Sequence, residues 1–144
     1  MEILTKRLKL IPCREEDVKD DDPREFIRHY LDSLREDPDS LGWGVWLVKI
    51  LEDGSIIGDI GFKGKPDEYG KVEIGYGISA HYQNKGYATE AVEALLNWVN
   101  ATGAVKIITA ECLIENSPSI KVLNKLGLKE VSRNSDMIFW EKTL

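Results

Sequence analysis

The sequence predicts an α/β domain of the α+β kind: a mixed, largely antiparallel central sheet with flanking helices. Three observations carry this expectation. Three strand-like runs follow one another across short turns between Trp43 and Ser79. A helix-period run then leads into one further strand, which makes a single crossover unit. The 144 residues, 42% hydrophobic and 31% charged, suffice for one core and its polar surface.

The elements follow in order. Leu4 to Ile11 sets Leu8 and Leu10 against Arg7 and Lys9, the alternation of a strand. Arg14 to Asp20 reads as a short polar helix or turn. From Pro23, residues Phe26, Ile27, Tyr30, Leu31 and Leu34 recur at helical spacing, and proline is tolerated in a first turn. Trp43 to Leu51 and Ser55 to Lys63 are strands joined by Glu52-Asp53-Gly54, where Asp-Gly signals a hairpin. A turn over Lys65 to Gly70 leads to a third strand, Lys71 to Ser79, and completes an antiparallel meander. Ala88, Ala91, Val92, Leu95, Leu96 and Val99 then form one helical face that Gly103 ends. Val105 to Leu113 is a strand, expected to run parallel to Lys71–Ser79 through a right-handed crossover. Ser117-Pro118 opens a second helix with Ile120, Leu123 and Leu126, ended by Gly127. Lys129–Arg133 and Met137–Lys142 are the last strands. No repeat, low-complexity tract or long linker interrupts the chain, so residues 1–144 are expected to be one domain.

Composition narrows the function. No apolar run approaches the roughly 20 residues of a membrane helix, so no membrane partner is expected. The start, Met1 to Lys6, lacks the apolar stretch of a secretory signal, which gives a cytoplasmic expectation. Cys13 and Cys112 lie far apart and read as reduced, buried thiols. With isolated His29 and His81 they give no metal-ligand spacing, so no metal is expected. A net charge of -6 shows no basic patch and argues against nucleic acid.

Two glycine patterns compete as phosphate sites. Gly75-Tyr76-Gly77-Ile78-Ser79-Ala80 spells a dinucleotide fingerprint, but its glycines lie inside a strand, and no helix opens at Ile78. A nicotinamide site is therefore set aside. Instead Gly75 and Gly77, with Glu73, clear side chains from one strand face, at a cost of about 0.5–1 kcal/mol per glycine. Gln83-Asn84-Lys85-Gly86-Tyr87-Ala88 is better placed. Its glycine stands where a helix begins, and the first helical N–H groups, at the positive end of the dipole, lack internal partners. The plain alternative is a glycine-assisted helix entry.

In context this loop resembles the GCN5-related N-acetyltransferase (GNAT) superfamily, whose pyrophosphate loop reads [QR]-x-x-G-x-[GA]. Glu73-Ile74-Gly75-Tyr76 before it and Thr89-Glu90-Ala91 after it are similar as well. So are Asn116-Ser117-Pro118-Ser119 with Lys125-Leu126-Gly127-Leu128 downstream. Thr5-Lys6-Arg7-Leu8-Lys9-Leu10 resembles the start of the branch that holds bacterial ribosomal-protein N-terminal acetyltransferases. The likeness covers nearly the whole chain.

The resemblance implies the acyl-CoA N-acyltransferase fold and an acetyl-CoA-dependent N-acetyltransferase that transfers acetyl to a primary amine by direct attack. It implies that acetyl-CoA lies where the Lys71–Ser79 and Val105–Leu113 strands splay apart. The cofactor-binding residues would be Ile78 for the pantetheine arm, and Gln83, Asn84, Lys85, Gly86, Tyr87, Ala88 and Thr89 around the pyrophosphate. Asn116 and Ser119 would sit near pantetheine and sulfur. Glu73 is the first candidate for the base that deprotonates the amine, with a salt-bridged strand carboxylate as the alternative; Glu111 is the second. The Tyr that many members place seven residues after the Asn is Leu123 here. Ser119 is left as a donor to the sulfur, or as a helix cap. Lys121 and Lys125 read as a solvated face within reach of CoA phosphates, and Trp43, Trp46, Trp98 and Trp140 as packing. Trp43 and the Phe26–Leu34 helix lie where the family shapes its acceptor pocket. A non-catalytic acyl-CoA-binding or sensing domain is the competing function. A monomer or a homodimer is expected.

Overall fold

The computed structural model describes residues 1–144 and places every expected strand and helix except the first strand, which is divided in two. The strands are β1 (Ile3–Leu4), β2 (Leu8–Pro12), β3 (Val45–Ile50), β4 (Ile56–Phe62), β5 (Lys71–Ile78), β6 (Ile107–Leu113), β7 (Lys129–Arg133) and β8 (Met137–Thr143). The helices are α1 (Glu25–Glu36), α2 (Tyr87–Thr102) and α3 (Ser117–Lys125). The strands form one sheet in the order β1-β2-β3-β4-β5-β6-β8-β7. Only β5 and β6 run parallel; every other neighbouring pair is antiparallel.

The amino-terminal strand differs from expectation. Leu4 to Ile11 is a hairpin, with Ile3 opposite Leu10. Thr5 makes the turn: its N–H donates to Leu8 O at 2.9 Å, and its Oγ1 accepts from Leu8 N–H at 2.9 Å. A side-chain acceptor that replaces a backbone one lets a chain reverse without glycine. The polar stretch after β2 is a 3-10 turn, Glu15–Asp17, and a second such turn at Pro38–Ser40 follows α1.

The sheet carries helices on both faces. On one, α2 buries Ala91, Val92, Leu95, Leu96 and Val99 against Leu8, Leu10, Val48, Ile57 and Ile108. On the other, Ile27, Tyr30 and Leu31 of α1 cover Cys13, Val45 and Leu47. Trp46 anchors the larger core. It is 0% exposed, its Nε1 donates to Gly42 O at 2.8 Å, and its ring meets Trp98 edge-on at 5.3 Å. Trp43 and Phe62 extend this aromatic cluster toward α1. Trp140 is also buried, and its Nε1 donates to Cys112 Sγ at 3.3 Å.

The parallel pair is short. Lys71, Val72 and Glu73 stand opposite Ile107, Ile108 and Thr109, and the pairing stops there. Strand β5 goes on pairing β4 as far as Ile78, and β6 goes on pairing β8 as far as Leu113. Beyond Glu73 the two strands therefore splay, and their facing backbone edges are open.

Trp46→Ala is expected to destabilise the protein by about 3–5 kcal/mol, because it empties the centre of the core and orphans the Gly42 carbonyl. Urea unfolding of the two proteins, compared at equal m-value, measures this.

Candidate active site

The splay is bordered by β5 and β6, by the loop after β5 and by the amino-terminal ends of α2 and α3. The loop begins with a 3-10 turn, Ala80–Tyr82, in which His81 stacks edge-on against Tyr82 at 5.3 Å. Its next residues take unusual conformations. Asn84 has φ 63 and Gly86 has φ 83. Asparagine and glycine are the residues that enter the left-handed region at least cost. Left-handed residues between right-handed ones turn successive N–H groups to one side, as an anion nest does. Helix α2 starts directly after, and no side chain caps it. Glu90 is the first residue whose N–H reaches back, to Gly86 O at 3.1 Å. The N–H groups of Tyr87, Ala88 and Thr89 have no intrahelical partner, and they carry the positive end of the dipole.

Two side chains of this loop are already engaged. Gln83 Nε2 donates to Ile78 O at 2.9 Å, so the glutamine closes the turn instead of reaching outward. Lys85 Nζ lies 6.0 Å from the Tyr82 ring centroid, and its charge sits on the loop surface.

Helix α3 forms the opposite wall. Asn116 is its N-cap, with Oδ1 accepting from Ser119 N–H at 3.2 Å. The cap is thus Asn116 and not Ser119, which leaves the Ser119 hydroxyl free of that task. Leu123 is 1% exposed and belongs to the core, so the position of the usual Tyr offers no group to the cleft. A different phenol does. Tyr76 on β5 reaches across to Ser119, its hydroxyl donating to Ser119 O at 3.5 Å. Burial pushes the Tyr76 phenol above its ordinary value, partly offset by this bond, so it stays protonated at neutral pH. Tyr76 was legible only as one apolar residue of an alternating strand; its reach to α3 follows from the tertiary packing.

Glu73 and Glu111 come together on the face opposite α2. Lys63 Nζ lies 2.5 Å from Glu73 Oε2 and 4.0 Å from Glu111 Oε1. The salt-bridged reading of Glu73 is therefore realised. The carboxylate is still about one-third exposed, at 32%, and sits at the last paired position of β5, where the splay opens. Glu111 is 41% exposed. Lys121 and Lys125 lie on the exposed side of α3, where neither makes an ion pair.

The same face holds a cavity of about 670 Å³ between β4, β5 and α1. Phe26, Tyr30 and Trp43 wall it, and Gly75 and Gly77 floor it. A Cβ on either glycine would meet no atom within 4 Å, and neither has a positive φ. Nothing in the fold requires glycine there. Gly58, by contrast, is forced: its Cβ would lie 2.2 Å from Gly77 O. Asp59, opposite Gly77, adds a carboxylate to the lining. Burial pushes it above the usual range, and Arg24 of the α1 entry, 3.0 Å away, offsets part of that. Asp59 was not legible as a site residue, because its placement depends on the long-range pairing of β4 with β5.

The family described as the Acetyltransferase (GNAT) domain matches residues 7–129. The chain is 33% identical over 116 residues to the uncharacterized N-acetyltransferase YjdG of Bacillus subtilis, a match that covers 81% of this chain and 69% of that protein. It superposes on a GNAT-family acetyltransferase from Bacillus anthracis with TM-score 0.75 and 24% identity, covering 99% and 98% of the two chains. The ribosomal-protein-S5-alanine acetyltransferase of Vibrio fischeri shares the fold at TM-score 0.81 and 16% identity, covering 99% and 96%.

The glycine floor generates a stability contrast. Gly75→Val should leave the thermal midpoint unchanged or raise it, since the new side chain enters open space on a strand that favours β-branched residues. Gly58→Ala should lower it, because backbone must move. Thermal unfolding of both variants reads the difference.

Proposed function

The chain belongs to the GNAT acetyltransferase family and is an acetyl-CoA-dependent N-acetyltransferase; we propose that it acetylates a primary amine carried on an apolar body, delivered through the α1 cavity to the splay. The observation that carries this reading is the pair Gly75 and Gly77, which keep open an aromatic-walled space that the fold itself has no use for. Binding of acetyl-CoA fits the chain on independent grounds. The open edge of β5, past Glu73 and as far as Ile78, offers backbone groups that a pantetheine arm satisfies, apart from the Ile78 carbonyl that Gln83 holds. The uncapped end of α2 offers N–H groups of Lys85 to Thr89 to a diphosphate.

Acetyl-CoA supplies an acetyl thioester, whose carbonyl carbon the amine nitrogen attacks as the C–S bond breaks. The chain's own groups handle the protons. An α-amino group titrates near ~8 and a lysine near ~10.4, so the acceptor arrives mostly as ammonium. Glu73, with Lys63 beside it, takes the proton directly or through a water, and Glu111 shares that lysine as the second candidate. Tyr76 and Ser119 stand on facing walls; the Ser119 hydroxyl donates to the departing sulfur, or the Tyr76 hydroxyl does after turning its one hydrogen away from the Ser119 carbonyl, and either supplies the acid that Leu123 cannot. Asn116 holds Ser119 by capping its helix. We place the protein in the cytoplasm, since both cysteines are free and buried and no helix is long and apolar enough to cross a membrane.

Three variants test the assignments. Glu73→Gln should lower kcat by about a hundredfold or more at neutral pH. Its acetyl-CoA Kd should not change, and raising the pH should recover part of the rate as the amine deprotonates by itself. An unchanged kcat would move the base to Glu111 or to a water chain. Gly86→Val should abolish CoA binding by calorimetry, because a β-branched residue resists the left-handed conformation and its side chain would crowd Arg7, which shifts the loop that presents the N–H groups of Lys85 to Thr89. Gly75→Val, stable as argued above, should raise the KM for the amine while leaving that for acetyl-CoA alone.

A further inference from the structure

Outside the cleft, the densest set of polar contacts in the molecule joins the β1–β2 turn to the loop before α2. Arg7 is its centre. Its Nε donates to Glu90 Oε1 at 2.7 Å, and its backbone N–H donates to Glu90 Oε2 at 3.0 Å. Its Nη1 donates to Lys85 O at 3.0 Å. Its guanidinium carbon lies 4.2 Å from the centroid of the Tyr87 ring. Its Nη2 is 3.4 Å from the point where a side chain on Gly86 would begin. Thr5 Oγ1 donates to the same Glu90 Oε2 at 2.6 Å. One side chain thus touches or flanks Lys85, Gly86, Tyr87 and Glu90 in succession.

Stability alone does not account for this arrangement. The Arg7 side chain is 40% exposed, and ion pairs at that exposure contribute only about 0–1 kcal/mol. What the contacts control is direction. The Lys85 carbonyl and the Gly86 N–H belong to one planar trans peptide unit, so they point to opposite sides. A guanidinium that holds the carbonyl on one side aims the N–H to the other. The device matters here because Gly86 is left-handed and has no Cβ, so little else in the residue fixes the Lys85–Gly86 peptide plane. Glu90 completes the clamp by fixing Arg7 to the first turn of α2. Burial pushes the Glu90 carboxyl up, but the hydrogen bonds from Thr5 and Arg7 outweigh it and hold the group below its ordinary value. The clamp is therefore charged at neutral pH, and it weakens only as acid protonates Glu90.

We propose that Arg7 is a positioning residue for the donor's diphosphate: by holding the Lys85 carbonyl it aims the Gly86 N–H, together with the first turn of α2, at that group. The inference rests on the reading that this loop receives the diphosphate, and the test separates the two. Arg7→Met, Arg7→Lys and Glu90→Gln are assayed with acetyl-CoA and with S-acetylpantetheine, which carries the thioester without diphosphate or nucleotide. Arg7→Met should raise the KM for acetyl-CoA about tenfold, equivalent to about 1.4 kcal/mol, with kcat little changed and kcat/KM for acetylpantetheine unaltered. Arg7→Lys should stay impaired, since an ammonium cannot span Glu90 and Lys85 O as the guanidinium fork does. Glu90→Gln should show the same donor-selective loss in smaller measure.

An equal loss with both donors would overturn the proposal and reduce Arg7 to a folding role. So would full activity in Arg7→Lys, because charge alone would then suffice, or an undiminished preference for acetyl-CoA in Arg7→Met. Wild-type protein that used both donors equally well would overturn the diphosphate reading itself, and the role of Arg7 with it.

Discussion

The early end of the β5–β6 ladder governs the rest of the site. Three residues of each strand pair, and then the strands part while each keeps its other neighbour. Peptide groups on the facing edges lose their protein partners at that point, and buried groups of that kind are costly unless something else satisfies them. The sheet thereby holds a slot, which in the proposed reading an extended, amide-bearing molecule fills. The location of the slot fixes the remaining parts. The loop leaving β5 ends over it, α2 starts above it, and α3 starts beside it because Ser117 follows β6 within a short turn. Glu73 acquires its place as the last paired residue on β5.

Glycine use shows how the two faces of β5 divide the work. Toward α2 the strand presents Val72, Ile74 and Tyr76 and supports the core. Toward α1 it presents Glu73, Gly75 and Gly77. Side chains at the glycines would improve the strand, since space and backbone conformation both admit them. In the proposed reading their absence gives up stability for an approach route. The aromatic cluster of Trp43, Trp46, Phe62 and Trp98 lies behind that route, so the cleft has rigid walls although its floor is bare.

Element order was legible in the sequence because it rests on local signals: the Asp53-Gly54 turn, the change of period at Ala88, and the glycines after the helices. The expectation of Gly86 over Gly75 and Gly77 as the phosphate site rested on a signal of the same kind, a helix start, and α2 does start directly after Gly86. The hairpin at Thr5 was hidden, because alternation runs straight through a turn that a threonine side chain closes. The partnership of Glu73, Glu111 and Lys63 was hidden for another reason: it joins β5, β6 and the end of β4, and no periodicity reports which strand ends meet. Asp59 and Arg24 meet across 35 positions, and Arg7 and Glu90 across 83. Contacts at those separations follow from topology and register, which a single sequence expresses only through the fold.

Leu123 illustrates the limit from the other side. A residue-by-residue transfer from the family finds leucine where an acid is expected and concludes that the acid is missing. The physical requirement is weaker than the motif. A departing thiolate needs one polarised hydrogen near the sulfur, and the slot has two walls from which to supply it. Leucine at 123 is what the core needs, because that side chain turns away from the slot and is fully packed. The phenol of Tyr76 stands on the opposite wall and is kept protonated by burial. Its bond to the Ser119 carbonyl ties it to the helix that Asn116 caps. In the proposed mechanism the donor's role has thus passed from helix to strand, which a site defined by two facing elements permits and a linear motif cannot record.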